Sequence, residues 1–163
     1  MSTFEDQGYQ WRETYFVLFD IAKRPSMAKI SKTLTALNPR FQLMNATEDE
    51  DGKFESLTLH SPDDYAALDI SYMEGDEVTE QAATLVDELR SAALDKEEKA
   101  KLVRLKHCTA RFDVLHFEEK VFDSMDDDEP DEVLDPAALL IALDALVDLT
   151  DGIGIDPQAG GFL

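Results

Sequence analysis

The chain has 163 residues, enough for one core, with 36 acidic against 15 basic side chains and a formal charge of −21 at pH 7. Apolar residues make up 44% of it, too rich a content for a disordered acidic tail, and one cysteine excludes an intramolecular disulfide framework. The charge argues against nucleic-acid backbones and anionic membranes as direct partners, because both would be repelled.

Residues 1–10 read as a loose polar arm with acids at Glu5 and Asp6, and no secretory signal is expected there. Residues 15–22 (YFVLFDIA) form an aromatic, apolar run whose length favours a strand covered on both faces. Asp20 interrupts that run. Residues 26–37 place Met27, Ile30, Leu34 and Leu37 at helical spacing, and Pro39 ends the helix. Three strands are predicted next, over 40–46, 53–61 and 67–72. The Asp51-Gly52 step closes the first two into a hairpin.

Residues 76–93 return to helical spacing through Val78, Ala82, Leu85, Val86 and Leu89. Asp95 with Glu98 starts another helix by a capping box. A strand follows over 111–117. Residues 118–135, with ten acids and one lysine, read as a solvated acidic loop. Pro136 suits the first position of a last helix over 137–149, whose 13 residues, with Asp144 among them, are too few for the roughly 20 that span a membrane. Residues 152–155 read as a short edge strand before a tail at 156–163.

This order predicts a single α+β domain over 1–163: a mainly antiparallel sheet with helices packed on one face, for which a ferredoxin-like layout is one compatible form.

The motifs point away from several chemistries. Asp49, Asp51 and Gly52 match positions three, five and six of a calcium loop. Thr47 and Thr58 then fall where an aspartate and a bidentate glutamate belong, so a hairpin turn is expected and no metal site. A single cysteine cannot supply paired zinc ligands. The glycines at 152 and 154 precede Pro157 and open no helix, so no dinucleotide or phosphate loop and no cofactor are expected. Asp20, His60, Cys108 and His116 remain as a candidate ligand pocket, including a Cys–His nucleophilic pair. Asp20, if buried in its strand, would need Lys23, Arg24, Arg111 or a backbone cap as partner. Tyr9 and Trp11 read as an aromatic lid over the sheet edge, with a partner-binding aromatic pair as the alternative.

Two functions compete. The first is an acidic, non-enzymatic interaction module, as an adaptor, inhibitor or immunity-type protein would be, binding a basic protein in the cytoplasm. Asp126, Asp127, Asp128, Glu129, Asp131 and Glu132 are its candidate contact residues. The alternative is an enzyme of unrecognised class acting on a cationic or metal-bound small substrate. Convergence of Asp20, His60, Cys108 and His116 in one pocket would favour the enzyme. Adaptation to salt is a third source of acidity, against which nine lysines weigh.

Overall fold

The computed structural model describes residues 9–62, 66–90, 94–119 and 137–163. In chain order they form β1 (Tyr9–Phe19), a 3-10 turn (Ile21–Lys23), α1 (Met27–Leu37), β2 (Gln42–Glu48), β3 (Phe54–Ser61) and β4 (Ala66–Glu74). Then come α2 (Asp76–Arg90), α3 (Lys96–Leu105), β5 (Ala110–Glu119), α4 (Ala137–Thr150), β6 (Ile153–Asp156) and β7 (Gly161–Phe162). The predicted order of elements therefore holds, and with it the α+β class.

Local chemistry accounts for the boundaries. Ser26 caps α1 by accepting from the Lys29 N–H, and Asp95 and Glu98 close the reciprocal capping box of α3. The β2–β3 turn is the expected hairpin. The Asp49 carboxylate accepts from the N–H groups of Asp51 and Lys53, and Gly52 takes the positive φ of 76°.

One sheet holds all seven strands in the order β2-β3-β4-β5-β1-β6-β7, and every neighbouring pair is antiparallel. Helices cover both of its faces, not one. Val17 and Phe19 of β1, with Leu57, Leu59, Leu68, Ile70, Phe112 and Val114, pack beneath α1 and α4. Leu18, between Val17 and Phe19, points the other way and joins Ile153 and Ile155 beneath α2 and α3. Consecutive residues of a strand face opposite sides, so a run buried at Val17, Leu18 and Phe19 requires cover on both.

The ferredoxin-like layout is not formed. Three strands, β3, β4 and β5, separate β1 from β2, where a split βαβ unit interposes one. The cause is the run of hairpins: β2, β3 and β4 pair in sequence, and β5 closes the meander onto β1. Strands also reach into the segments read as an arm and a tail, while residues 1–8 of the arm lie outside the described residues. Tyr9 and Gln10 belong to β1, and Gly161 and Phe162 form β7, which leaves β6 paired on both sides. The acidic run beyond Glu119 lies outside the described residues, as do Asp135 and Pro136.

Candidate functional site

The four residues expected to share a pocket fall in three places. Asp20 and Cys108 meet in an open cleft of about 260 Å³ at the end of the sheet, together with Lys23, Arg104, His107 and Asp151. His116 lies elsewhere on β5, opposite Glu13 and Leu68. His60 on β3 pairs with Ala67, one residue from Leu68, so it projects from the opposite face of the sheet. Its Nδ1 lies 3.2 Å from Gln42 Oε1.

Asp20 is not the buried strand carboxylate the sequence implies. β1 ends at Phe19, and Asp20 is exposed, its Oδ1 accepting from the Ala22 N–H at 2.9 Å to cap the 3-10 turn. A backbone cap was among its expected partners, and it is the one found. The cleft beside it gathers the C-terminal ends of α3 and α4, whose carbonyls carry negative potential. Arg104 donates from Nη2 to the Asp151 carbonyl, and Lys23 Nζ stands 3.8 Å from Asp151 Oδ2. The cations thus neutralise helix ends.

The Cys108 thiol is 5% exposed as a residue and donates to the Arg104 carbonyl, with Sγ 3.8 Å from the oxygen. Burial pushes its pKa up from 9.0 to about 11, with Arg104 opposing the shift and Asp20 adding to it. A nucleophilic cysteine needs the reverse shift. At pH 8, iodoacetamide should modify Cys108 at least about a hundredfold more slowly in the native protein than in the unfolded chain, which mass spectrometry reads directly.

The same shift sets a pH window for stability. The folded thiol holds its proton to higher pH, so its contribution is complete below pH 9.0 and is lost as pH rises to about 11. Tyr15 extends the window, since burial, then Glu13 and Asp156, raise its hydroxyl from 10.0 to about 12. Native stability should therefore decline between pH 9 and 12, and Cys108→Ala should remove the lower part of that decline.

A second polar cluster was not foreseen. β1 carries a bulge between Trp11 and Glu13, and beyond it the strand's period-two alternation sets Glu13 on the face of Tyr15 and Val17. Glu13 Oε1 lies 3.2 Å from His116 Nδ1 and accepts from the Tyr15 hydroxyl at 3.3 Å. A carboxylate holding an imidazole is the arrangement of a general base. His116 is only 3% exposed, however, so here the group ties the N-terminal half of β1 to β5. Period two along β1 links Glu13 to Tyr15 in sequence, but the pairing with His116 depends on a long-range register.

The other sheet face is also satisfied internally. Thr58 donates to Asp69 at 2.7 Å, and Arg111 binds Asp113 at 2.6 Å, donates to Gln81 and covers the Phe16 ring at 5.0 Å. Among the described residues no buried side-chain nitrogen or oxygen lacks a partner. Nor does any group of three or more His, Cys, Asp or Glu side chains there form a metal-binding set. No described helix is long and apolar enough to cross a membrane.

The surface of α2 is acidic. Val78, Ala82, Val86 and Leu89 turn inward, leaving Asp76, Glu77, Glu80, Asp87 and Glu88 exposed with Arg90 as the helix's single base. The candidate contact residues Asp126, Asp127, Asp128, Glu129, Asp131 and Glu132 lie outside the described residues. Comparisons with protein-family models, with curated proteins and with solved structures found no match.

Proposed function

We propose that the protein is an acidic, non-enzymatic interaction module, an adaptor, inhibitor or immunity-type protein, that binds a basic protein in the cytoplasm. The observation that carries this reading is the charge of −21, expressed on α2 as an exposed row of five carboxylates beside one arginine. Such a surface accelerates encounter with a cationic partner and repels polyanions. The competing enzyme reading loses support from the cleft, where the thiol is pushed toward its unreactive form and the cations are engaged by the carbonyl and carboxylate of Asp151.

The test begins with capture of a partner from native lysate at low salt and elution in a salt gradient. Association kinetics with that partner follow. Replacing Asp126, Asp127 and Asp128 by Asn and Glu129 by Gln should slow association at low salt by roughly tenfold while changing dissociation less. Unchanged association at low salt would remove the acidic run as the docking element. Failure of any salt-sensitive basic partner to bind would remove the reading itself.

A further inference from the structure

Strand β1 is 11 residues long, yet β6 covers its outer side only at Phe16, Val17 and Leu18. Just before them a side chain stands in for a strand. The Thr14 N–H donates to Gln158 Oε1 at 3.0 Å, and Gln158 Nε2 donates back to the Thr14 carbonyl at 3.0 Å. A residue of a neighbouring antiparallel strand makes this same double contact. Asp156 holds the amide in place, its Oδ1 accepting from the Gln158 backbone at 3.0 Å and from Nε2 at 2.9 Å.

From Tyr9 to Glu13 no strand lies on that side of β1 among the described residues. An open row of backbone donors and acceptors is a template for another strand. Trp11 lies beside it, 50% exposed, with its indole N–H donating to the Thr14 hydroxyl at 3.1 Å. That bond ties the exposed ring to Thr14, so a large apolar side chain stands on the uncovered stretch of the strand.

Charge decides what the edge would accept. On the strand itself Arg12 stands 3.4 Å from Glu118 of β5 and Glu13 is turned to His116, so the bias toward a cation comes from the net charge of the whole chain. Tyr9 is paired with Glu119, the residue from which the chain enters the rest of the acidic run. Two copies of a chain carrying −21 repel each other, whereas a basic segment is drawn in.

We propose that the edge of β1 from Tyr9 to Glu13, which no described strand covers, docks a basic partner by strand addition, an extended Lys- or Arg-bearing segment pairing with the β1 backbone alongside Trp11. This rests on the acidic-partner reading above and adds its mode: backbone hydrogen bonds give register, and alternate side chains give the charge match.

Trp11 is the chain's single tryptophan, so its emission reports on the edge. The probe is an alternating (Lys-Val)4 peptide, compared with the same peptide N-methylated on alternate residues, which keeps its charge and loses a row of donors. At low salt the unmodified peptide should change Trp11 emission saturably and slow hydrogen exchange of amides in 9–13. The methylated peptide should bind at least about tenfold more weakly, for the loss of two or more backbone hydrogen bonds. Equal affinity of the two peptides overturns strand addition and leaves the acidic-partner reading standing. Absence of salt-sensitive binding by either peptide overturns both. A concentration-dependent dimer that protects 9–13 without peptide overturns the choice of a basic segment over a second copy.

Discussion

Phe112→Ala is expected to lower the unfolding free energy by about 3–5 kcal/mol, the range for truncating a fully buried Phe. Phe112 is wholly buried on β5 and lies between three aromatic neighbours. Its ring centroid is 4.8 Å from Phe19, 5.3 Å from Phe54 in an edge-on contact and 6.4 Å from Tyr72. These rings come from β1, β3 and β4, so the truncation opens a cavity where the meander closes onto β1. Collapse around the gap is resisted, because the neighbouring backbones are fixed by pairing on both sides: β5 lies between β4 and β1. At about 2–4 °C of melting temperature per kcal/mol for a chain of this size, the loss should appear as a drop of roughly 10 °C in a calorimetric scan. Phe112→Leu keeps most of the volume and should lose clearly less. Equal losses from the two variants would mean that ring-to-ring contact, not cavity formation, sets the cost.

The path from sequence to these contacts was legible where the cause is local. The helix at Met27–Leu37 follows from apolar spacing and the Ser26 cap, and α3 follows from the Asp95–Glu98 box. The β2–β3 turn follows from Asp51-Gly52. Relations set by long-range register were not legible. The hydrophobic alternation of each strand says which residues share a face, yet not which strand lies next to it; closing β5 onto β1 fixes that order and brings His116 to Glu13. Placement of helices on both faces was implicit in the unbroken run Val17-Leu18-Phe19, since two opposite sides were apolar there. For Asp20, the apolar residues on either side suggested a continuing strand, while the Lys23-Arg24-Pro25 stop falls just after the 3-10 turn that Asp20 caps. The division of the candidate pocket, with Asp20 and Cys108 together and the two histidines elsewhere, has a similar cause. Residues scarce in composition are conspicuous in a sequence, but scarcity does not place His60 and His116 on the same face.

Arg24→Met is expected to cost about 2–4 kcal/mol, a large effect for a residue that the sequence offers only as a candidate partner of Asp20. Its guanidinium joins three parts of the fold that are far apart in the chain. Nε and Nη2 donate to the Phe54 carbonyl at 3.2 and 2.9 Å, fixing the start of β3. Nη1 lies 3.2 Å from Asp49 Oδ2 in the β2–β3 turn, and the group sits 4.0 Å over the Tyr72 ring of β4. Tyr72 in turn donates to Glu74 at 2.7 Å. The Arg24 side chain is 16% exposed, so these contacts are only partly screened by water. Methionine fills the space and forfeits the hydrogen bonds, the ion pair and the cation–π contact together. Lysine at this position should recover only part of the loss, because a point charge cannot donate twice to one carbonyl and also lie flat on a ring. Urea unfolding with an unchanged slope would confirm that the native state lost the contacts. The pH dependence separates Arg24 from the turn it contacts. The Asp49 carboxyl is held below its ordinary 3.8 chiefly by the Lys53 N–H, with the Asp51 N–H and Arg24 contributing less. Its stabilising effect is complete above pH 3.8 and is lost as pH falls through the lowered value. Most of that acid-side loss should therefore persist in Arg24→Met, since the turn's own backbone supplies its main cause. Its disappearance in the variant would instead make the guanidinium the group that organises the turn.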